Sequence, residues 1–268
     1  FNPKAGIVYR FADVHRAFAS VSVGGKEPTR RDYVESSPDS RPKEERLIDF
    51  EGGYQAAFER FNVGLNVYYM LYQDQLINTG EVNDVGNIVR ENVPDSYRTG
   101  IELQLNTQLT QQWRWSGNAT FSRNKIDEYQ RFLDDFDSGG QQVETYENVT
   151  IAFSPSVIAN SSFTYQTGNL SAEWNMNYVS EQFLDNTENS SRSIDPYWIN
   201  NLLFTYEYNN LSFIRGITAS IQVNNLLDEK YVANGYTFGW IAGGEEKSFN
   251  YYYPQAGRHV MANLQFRF

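Results

Sequence analysis

Read at every second position, the last residues of the chain separate into two sets. Val260, Ala262, Leu264, Phe266 and Phe268 are apolar, whereas Met261, Asn263, Gln265 and Arg267 are mostly polar. A period of two is the mark of a strand with one apolar face. The alternation recurs along the chain. In 62–72, Val63, Leu65, Val67, Tyr69 and Leu71 oppose Asn62, Gly64, Asn66, Tyr68 and Met70. In 98–106, Thr99, Ile101, Leu103 and Leu105 oppose Arg98, Gly100, Glu102, Gln104 and Asn106. Segments 114–122, 170–178 and 217–224 repeat it, and 4–11, 17–23, 48–59, 156–167 and 197–208 are further candidates. The pattern predicts about eleven strands and no substantial helix. Leu103, Phe121, Trp174, Phe204, Ile221 and Leu264 fall on the apolar face, and Glu102, Asn118, Asn175, Gln222 and Gln265 on the polar one.

The connections add a second regularity. Short ones at 12–16, 59–62, 109–112, 168–169 and 209–216 alternate without exception with long polar ones at 24–47, 73–95, 123–155, 181–196 and 225–257. Tight turns at one end and long loops at the other are the layout of an up-and-down transmembrane barrel. A soluble sandwich gives no reason for it. The strands run to about 10 residues, the length of a tilted membrane-spanning strand. Trp113, Trp115, Tyr178, Trp198 and Tyr208 lie near strand ends, where interfacial girdles belong. The expected fold is therefore an all-β, antiparallel transmembrane β-barrel. Single-chain bacterial barrels have even strand numbers. An odd count ending at the short-turn side predicts that residues 1–268 are the C-terminal part of a larger barrel, cut within an outer loop.

Composition fits an envelope protein. Aromatics make up 16% of the chain while apolar residues total only 40%, unlike a soluble core built from Leu, Ile and Val. Such a balance suits strands that turn apolar side chains outward and polar ones inward. The net charge of -11 argues against a nucleic-acid partner held through phosphates. With no cysteine, disulfides and thiolate metal sites are excluded.

Four motifs carry a family resemblance. "IQVNNLLDEKYVANGYTF" (221–238) resembles the penultimate strand and following loop of TonB-dependent outer-membrane receptors. "YYYPQAGRHVMANLQFRF" (251–268) is similar to their final strand, "KAGIVYRF" with "AFASVSVGGKEPTRRDY" (4–33) to a mid-barrel hairpin, and "PDSYRTGIELQL" (94–105) to a recurrent strand. The resemblance implies a 22-stranded barrel closed by an N-terminal plug, of which this chain supplies about eleven C-terminal strands. It also implies an active importer of a scarce nutrient, of siderophore-iron, haem or cobalamin type. Its partners are the lipid bilayer and lipopolysaccharide, the TonB complex through the missing N-terminal part, and the barrel-assembly machinery through the last strand.

Site residues follow as expectations. Trp240, Tyr251, Tyr252 and Tyr253 place aromatics in the last long loop, as candidate contacts for a small nutrient ligand. Arg98, Glu102 and Arg258 lie on the polar face, as candidate plug contacts. Leu264, Phe266 and Phe268 form the terminal assembly-signal strand. Asp134, Asp135 and Asp137 cluster in one loop but lack the spacing of a calcium-binding loop and read as a solvated acidic turn. His15 and His259 are far apart in sequence and offer neither a haem pair nor a catalytic base. No cofactor, metal site or enzymatic motif is expected. A passive porin, a structural barrel and a client of the assembly machinery are the alternatives.

Overall fold

The computed structural model describes residues 1–36, 41–82, 86–209 and 215–268. In chain order the strands are β1 (Lys4–Phe11), β2 (His15–Lys26), β3 (Glu45–Ala57), β4 (Phe61–Val82), β5 (Ile88–Gln108), β6 (Trp113–Asp135), β7 (Gly140–Thr150) and β8 (Val157–Thr167). They continue as β9 (Leu170–Val179), β10 (Gln182–Phe183), β11 (Ser193–Ile194), β12 (Tyr197–Asn209), β13 (Gly216–Asn224), β14 (Val232–Ala242), β15 (Glu245–Pro254) and β16 (His259–Arg267). One six-residue helix, α1 (Arg30–Glu35), starts at a capping box between Thr29 and Asp32. The main sheet runs β1-β2-β3-β4-β5-β6-β8-β9-β12-β13-β16. These are the eleven meandering strands expected, and every pair along the path is antiparallel.

The register sorts side chains as the two-residue period requires. Leu65, Leu103, Ala119, Ala159, Tyr178 and Trp198 pair successively across β4, β5, β6, β8, β9 and β12. Gln104, Asn118, Asn160 and Asn177 form a row on the opposite face. Leu103, Phe121, Trp174, Phe204, Ile221 and Leu264 all lie on the apolar face, and all are exposed. A contiguous exposed apolar wall of this extent has no place in water and fits a lipid-facing surface. Aromatic side chains band it at both ends. Phe11 stacks on His15 at 5.1 Å, Phe58 on Phe61 at 4.4 Å, and Trp113 lies 4.9 Å from Tyr165, all by the short turns. Tyr69 with Tyr97 and Tyr178 with Trp198 mark the other end.

Two features depart from the expectation. β4, β5 and β6 are 22, 21 and 23 residues long, about twice a tilted span of ~10 residues. The connections 73–95 and 123–155 are thus largely strand, rising past the banded wall, and 225–257 contains the β14–β15 hairpin. The alternation hides this because the faces exchange part-way. Tyr72 is on the polar face, yet beyond Asp74, which has a left-handed φ of 49°, the buried set becomes Gln75, Ile77 and Thr79. In β6 the buried set passes from Asn124 and Ile126 to Tyr129, Arg131, Leu133 and Asp135, opposite Asn148 with φ 52°. The second departure is the core. The buried cluster Ile77, Val93, Ile126, Tyr129, Val149 and Ile151 lies in these extensions, not in the banded wall.

Candidate ligand-binding mouth

The extensions of β4 to β7 form one side of a mouth, and two segments fold onto it. The first is the connection 180–196, carrying β10 and β11. Its Asn186 accepts from the Ala152 N–H at 2.8 Å and donates through Nδ2 to the Asn78 carbonyl at 2.9 Å. Glu188 accepts from the Thr150 N–H at 2.8 Å and from the Thr150 hydroxyl and Lys125 ammonium. Burial works to raise the Glu188 carboxyl, but these donors outweigh it and hold the group below the usual range.

The second segment is the β14–β15 hairpin. Ion pairs between buried and half-buried groups fix it. Arg131 Nη2 of β6 lies 2.9 Å from Glu246 Oε1, Arg192 also reaches Glu246, and Arg192 Nη1 lies 3.0 Å from Asp185. Burial alone disfavours the Arg131 cation, yet Glu246 over-compensates and keeps it charged. At the hairpin tip the Gly243 and Gly244 N–H groups donate to the two oxygens of Asp137 at 3.0 and 2.8 Å. Trp240 and Ile241 of β14 pair in parallel with Asp134 and Asp135. Asp135 accepts from Gln142 Nε2 and from the N–H groups of Asp137 and Ser138, which depress its carboxyl. The acidic cluster thus ties loops together. Among the described residues no group of His, Asp and Glu is arranged to hold a metal.

With one hairpin face docked, the other carries a ladder of rings. Tyr236 stacks on Tyr251 at 5.0 Å, Phe238 on Tyr251 at 5.8 Å, Phe238 on Trp240 at 5.8 Å and Trp240 on Phe249 at 5.6 Å. Tyr253 adjoins Tyr236 at 6.1 Å. Three of the four aromatics expected at the ligand, Trp240, Tyr251 and Tyr253, are in this ladder. Tyr252 is on the docked face and donates to the Ser193 carbonyl at 3.0 Å. Phe238, which opens the "FGW" read from the sequence as a candidate ligand stack, is in the ladder too; Tyr236 and Phe249 were not singled out, although "YTFGW" and "FNYYY" place them at period two with the others. Tyr236 and Tyr253 also line a cavity of about 480 Å³, with Asn78, Phe153, Gln182 and Asn234. That volume suits a small molecule.

The polar-face candidates lie apart from the ladder. Arg98 Nη1 donates to Ser154 Oγ at 3.3 Å, and Glu102 accepts from Asn66 Nδ2 at 3.2 Å. On β8 and β9, Asn160 donates to Asn177 at 2.5 Å and Asn177 to Asn175 at 2.6 Å, while Ser162 donates to Glu173 at 2.8 Å. Arg258 is engaged locally: its N–H donates to Asp228 Oδ1 at 2.8 Å and its Nη1 to the Leu226 carbonyl at 3.3 Å. Leu264 and Phe266 are on the apolar face of β16, opposite Ala219 and Ile217, and Phe268 is exposed just past the strand. His15 hydrogen-bonds the Tyr54 hydroxyl at 2.7 Å within the short-turn aromatic band.

The family model described as TonB dependent receptor-like, beta-barrel, matches residues 1–226. The chain belongs to this family. Its sheet is accordingly that of an outer-membrane β-barrel, with the apolar wall toward lipid, the polar face toward the lumen and the long connections outside. Among the described residues no helix is long and apolar enough to cross a membrane. Solved TonB-dependent receptors and transporters share the fold. The siderophore receptor PiuA from Acinetobacter baumannii superposes with a TM-score of 0.70 at 17% identity, over 98% of this chain and 35% of that one. The copper transporter OprC gives 0.72 at 18% identity, over 99% of this chain and 39% of that one. The ferric yersiniabactin uptake receptor FyuA from Yersinia pestis gives 0.65 at 19%, over 98% and 36%. The chain thus spans little more than a third of these structures' length. No curated protein matches the sequence.

Proposed function

We propose that these residues form the C-terminal half of a TonB-dependent receptor barrel. The whole protein would bind a scarce nutrient at its outer mouth and import it with TonB energy. The observation that carries the binding role is the ring ladder beside the cavity bounded by Tyr236, Tyr253, Asn78 and Gln182. Stacked rings offer flat apolar faces, and the amides offer hydrogen bonds, the mix found in small-molecule sites. A siderophore-iron chelate, haem or a cobalamin has the planar or aromatic surface such a ladder accepts. The solved neighbours include proteins named for siderophore and copper uptake, in keeping with a metal-bearing cargo.

On this reading Arg98 and Glu102 of β5 point at an N-terminal plug, and Arg258 stands at the entry to β16, six strands away along the sheet. Leu264, Phe266 and Phe268 present the last strand to the barrel-assembly machinery. The deciding experiment uses the full-length receptor in a deletion strain grown on single iron or vitamin sources. Restored growth on one source, lost when Trp240 and Tyr253 are both changed to Ala with surface display intact, is the expected result. Growth that ignores the receptor on every source, or survives loss of TonB, overturns the import reading.

A further inference from the structure

The cavity of about 480 Å³ at the mouth takes its walls from four connections. Asn78 comes from 73–95, Phe153 from 123–155, Gln182 from 181–196, and Asn234, Tyr236 and Tyr253 from 225–257. Among the described residues no charged side chain lines it. Its hydrogen-bonding side chains are amides and phenols.

Gln182 is the buried group that this lining leaves open. β10 fixes its backbone by pairing it with Ile194 of β11, and the residue is only 8% exposed. Its side-chain amide nevertheless has no hydrogen-bond partner among the described residues. Buried neighbours in the same segment are satisfied. Asn186 bonds to Ala152 and Asn78, and Asp185 accepts from the Thr187 hydroxyl at 2.7 Å and from Arg192 at 3.0 Å. Buried amides are normally bonded, so one left open against a cavity marks where a ligand supplies the missing partner. The amide can both donate and accept, and it carries no charge.

The surroundings set the charge that can enter. Carboxylates outnumber cations in each of the four connections. The cations there are already engaged: Arg90 with Asp32, Lys125 with Glu188, Arg131 with Glu246, Arg192 with Asp185, Lys230 with Asp228 and Lys247 with Glu245. Arg123 is the exception, and it shares the apolar face with Phe121, apart from this cavity. An anionic ligand would lose its water here without gaining a cation, and it would meet like charge. A neutral ligand meets no such penalty. A cationic one is drawn both by the carboxylates and by the ring faces of Tyr236 and Tyr253.

We propose that this cavity selects nutrients without net negative charge, with Gln182 as its specificity-determining residue. The inference rests on the import reading and narrows it. Chelate chemistry divides the cargoes. Three hydroxamates cancel the charge of a ferric ion, whereas three catecholates overshoot it and leave a trianion. Haem keeps its propionates. The cavity therefore fits a ferric trihydroxamate, neutral or bearing an ammonium group, or an uncharged corrinoid, and not a tris-catecholate or haem.

The test measures uptake by the full-length receptor in a deletion strain. The probes are a neutral ferric trihydroxamate, the same chelate bearing an ammonium group, cyanocobalamin, a ferric tris-catecholate and haemin. At least one of the first three is expected to enter about tenfold or more faster than either anion, the factor that ~1.4 kcal/mol of discrimination gives. Gln182→Leu, with surface display intact, is expected to raise the half-saturating concentration of that probe about three- to tenfold, the loss of one neutral hydrogen bond. An anion entering as fast as the best neutral or cationic probe overturns the inference and leaves the import reading standing. Uptake of no probe overturns both. Unchanged half-saturation in displayed Gln182→Leu means that the amide meets only water, and its assignment falls. The charge comparison is made in the parent receptor, so it decides the selectivity even if Gln182→Leu fails to reach the surface.

Discussion

The Tyr68 hydroxyl lies over Gly100, so close that a methyl added at Gly100 would stand 2.5 Å from it and 2.7 Å from the Phe121 carbonyl oxygen. This contact accounts for glycine in the "RTGIELQL" strand. β4 and β5 are in register at Tyr68 and Gly100, and the ring crosses the gap left by the missing side chain on the lumen face. Gly100→Ala is expected to destabilise the folded barrel by about 1–3 kcal/mol, as overpacking does. Tyr68→Ala in the same background should recover part of it, because the tyrosine would no longer collide. Urea unfolding in detergent or lipid measures both. An unchanged Gly100→Ala midpoint would refute the contact.

A second junction is sensitive to pH. The Arg258 N–H donates to Asp228, Lys230 Nζ lies 3.0 Å from the same carboxylate, and the group is held below the usual aspartate range. A depressed folded-state pKa stabilises the clamp above the free-aspartate value of about 4. That contribution is lost as pH falls through the lower folded value. The entry to β16 should therefore stay protected from amide exchange at pH 7 and 5 and open below about pH 4. Asp228→Asn should remove the pH dependence. Opening near pH 6 in the parent protein would contradict the assignment.

Leu264 tests which wall meets lipid. It pairs with Ala219 and is on the exposed apolar face of β16. Leu264→Arg should cost about 2–4 kcal/mol if the site is near the bilayer midplane, and less toward an interface. Gln265→Arg, one residue on, points into the lumen and should cost far less. Equal penalties at the two positions would show that the faces are not divided as described.

The mouth depends on Arg131. It is buried and bonded to Glu246 of the hairpin, with Glu144 at 3.5 Å. Arg131→Ala leaves Glu246 with Arg192 alone; because Glu246 is partly exposed and keeps one cation, the cost is expected to fall below the ~3–5 kcal/mol of a fully buried pair. The loss should appear locally. Hydrogen exchange over 232–254 is expected to rise while 98–122 stays protected. A uniform rise along the chain would mean that the ion pair supports the whole sheet.

The membrane-spanning part was legible because a barrel obeys a single rule there: Ile101, Leu103 and Leu105 go to lipid, and Glu102 and Gln104 do not. The mouth obeys no such rule. At Asp74 and in β6 near Asp127 the faces exchange, and beyond those points Ile77 and Tyr129 are buried in one cluster with Val93, Ile126, Val149 and Ile151. Residues such as Arg131 and Glu246 are 115 positions apart, and nothing local in either segment announces the pair. "YYY" was legible as aromatic but not as a ladder, since a strand sends Tyr252 away from Tyr251 and Tyr253.

The sheet edges make the last prediction. Among the described residues β1 pairs only with β2, and β16 only with β13, and these two outermost strands do not pair with each other. Each therefore carries a row of N–H and C=O groups without strand partners. In hydrocarbon every such group costs several kcal/mol, which is why membrane sheets close. Residues 1–268 expressed alone are expected not to insert as a sealed barrel. They should lack heat-modifiable mobility and remain open to protease in the outer membrane. Supplying the N-terminal portion of the receptor, in one chain or as a second one, should restore both properties by covering the edges of β1 and β16. If residues 4–11 instead pair directly with 259–267 in a barrel of this chain alone, detected by engineered disulfides between the two strands, the half-barrel description fails and a small self-contained barrel replaces it.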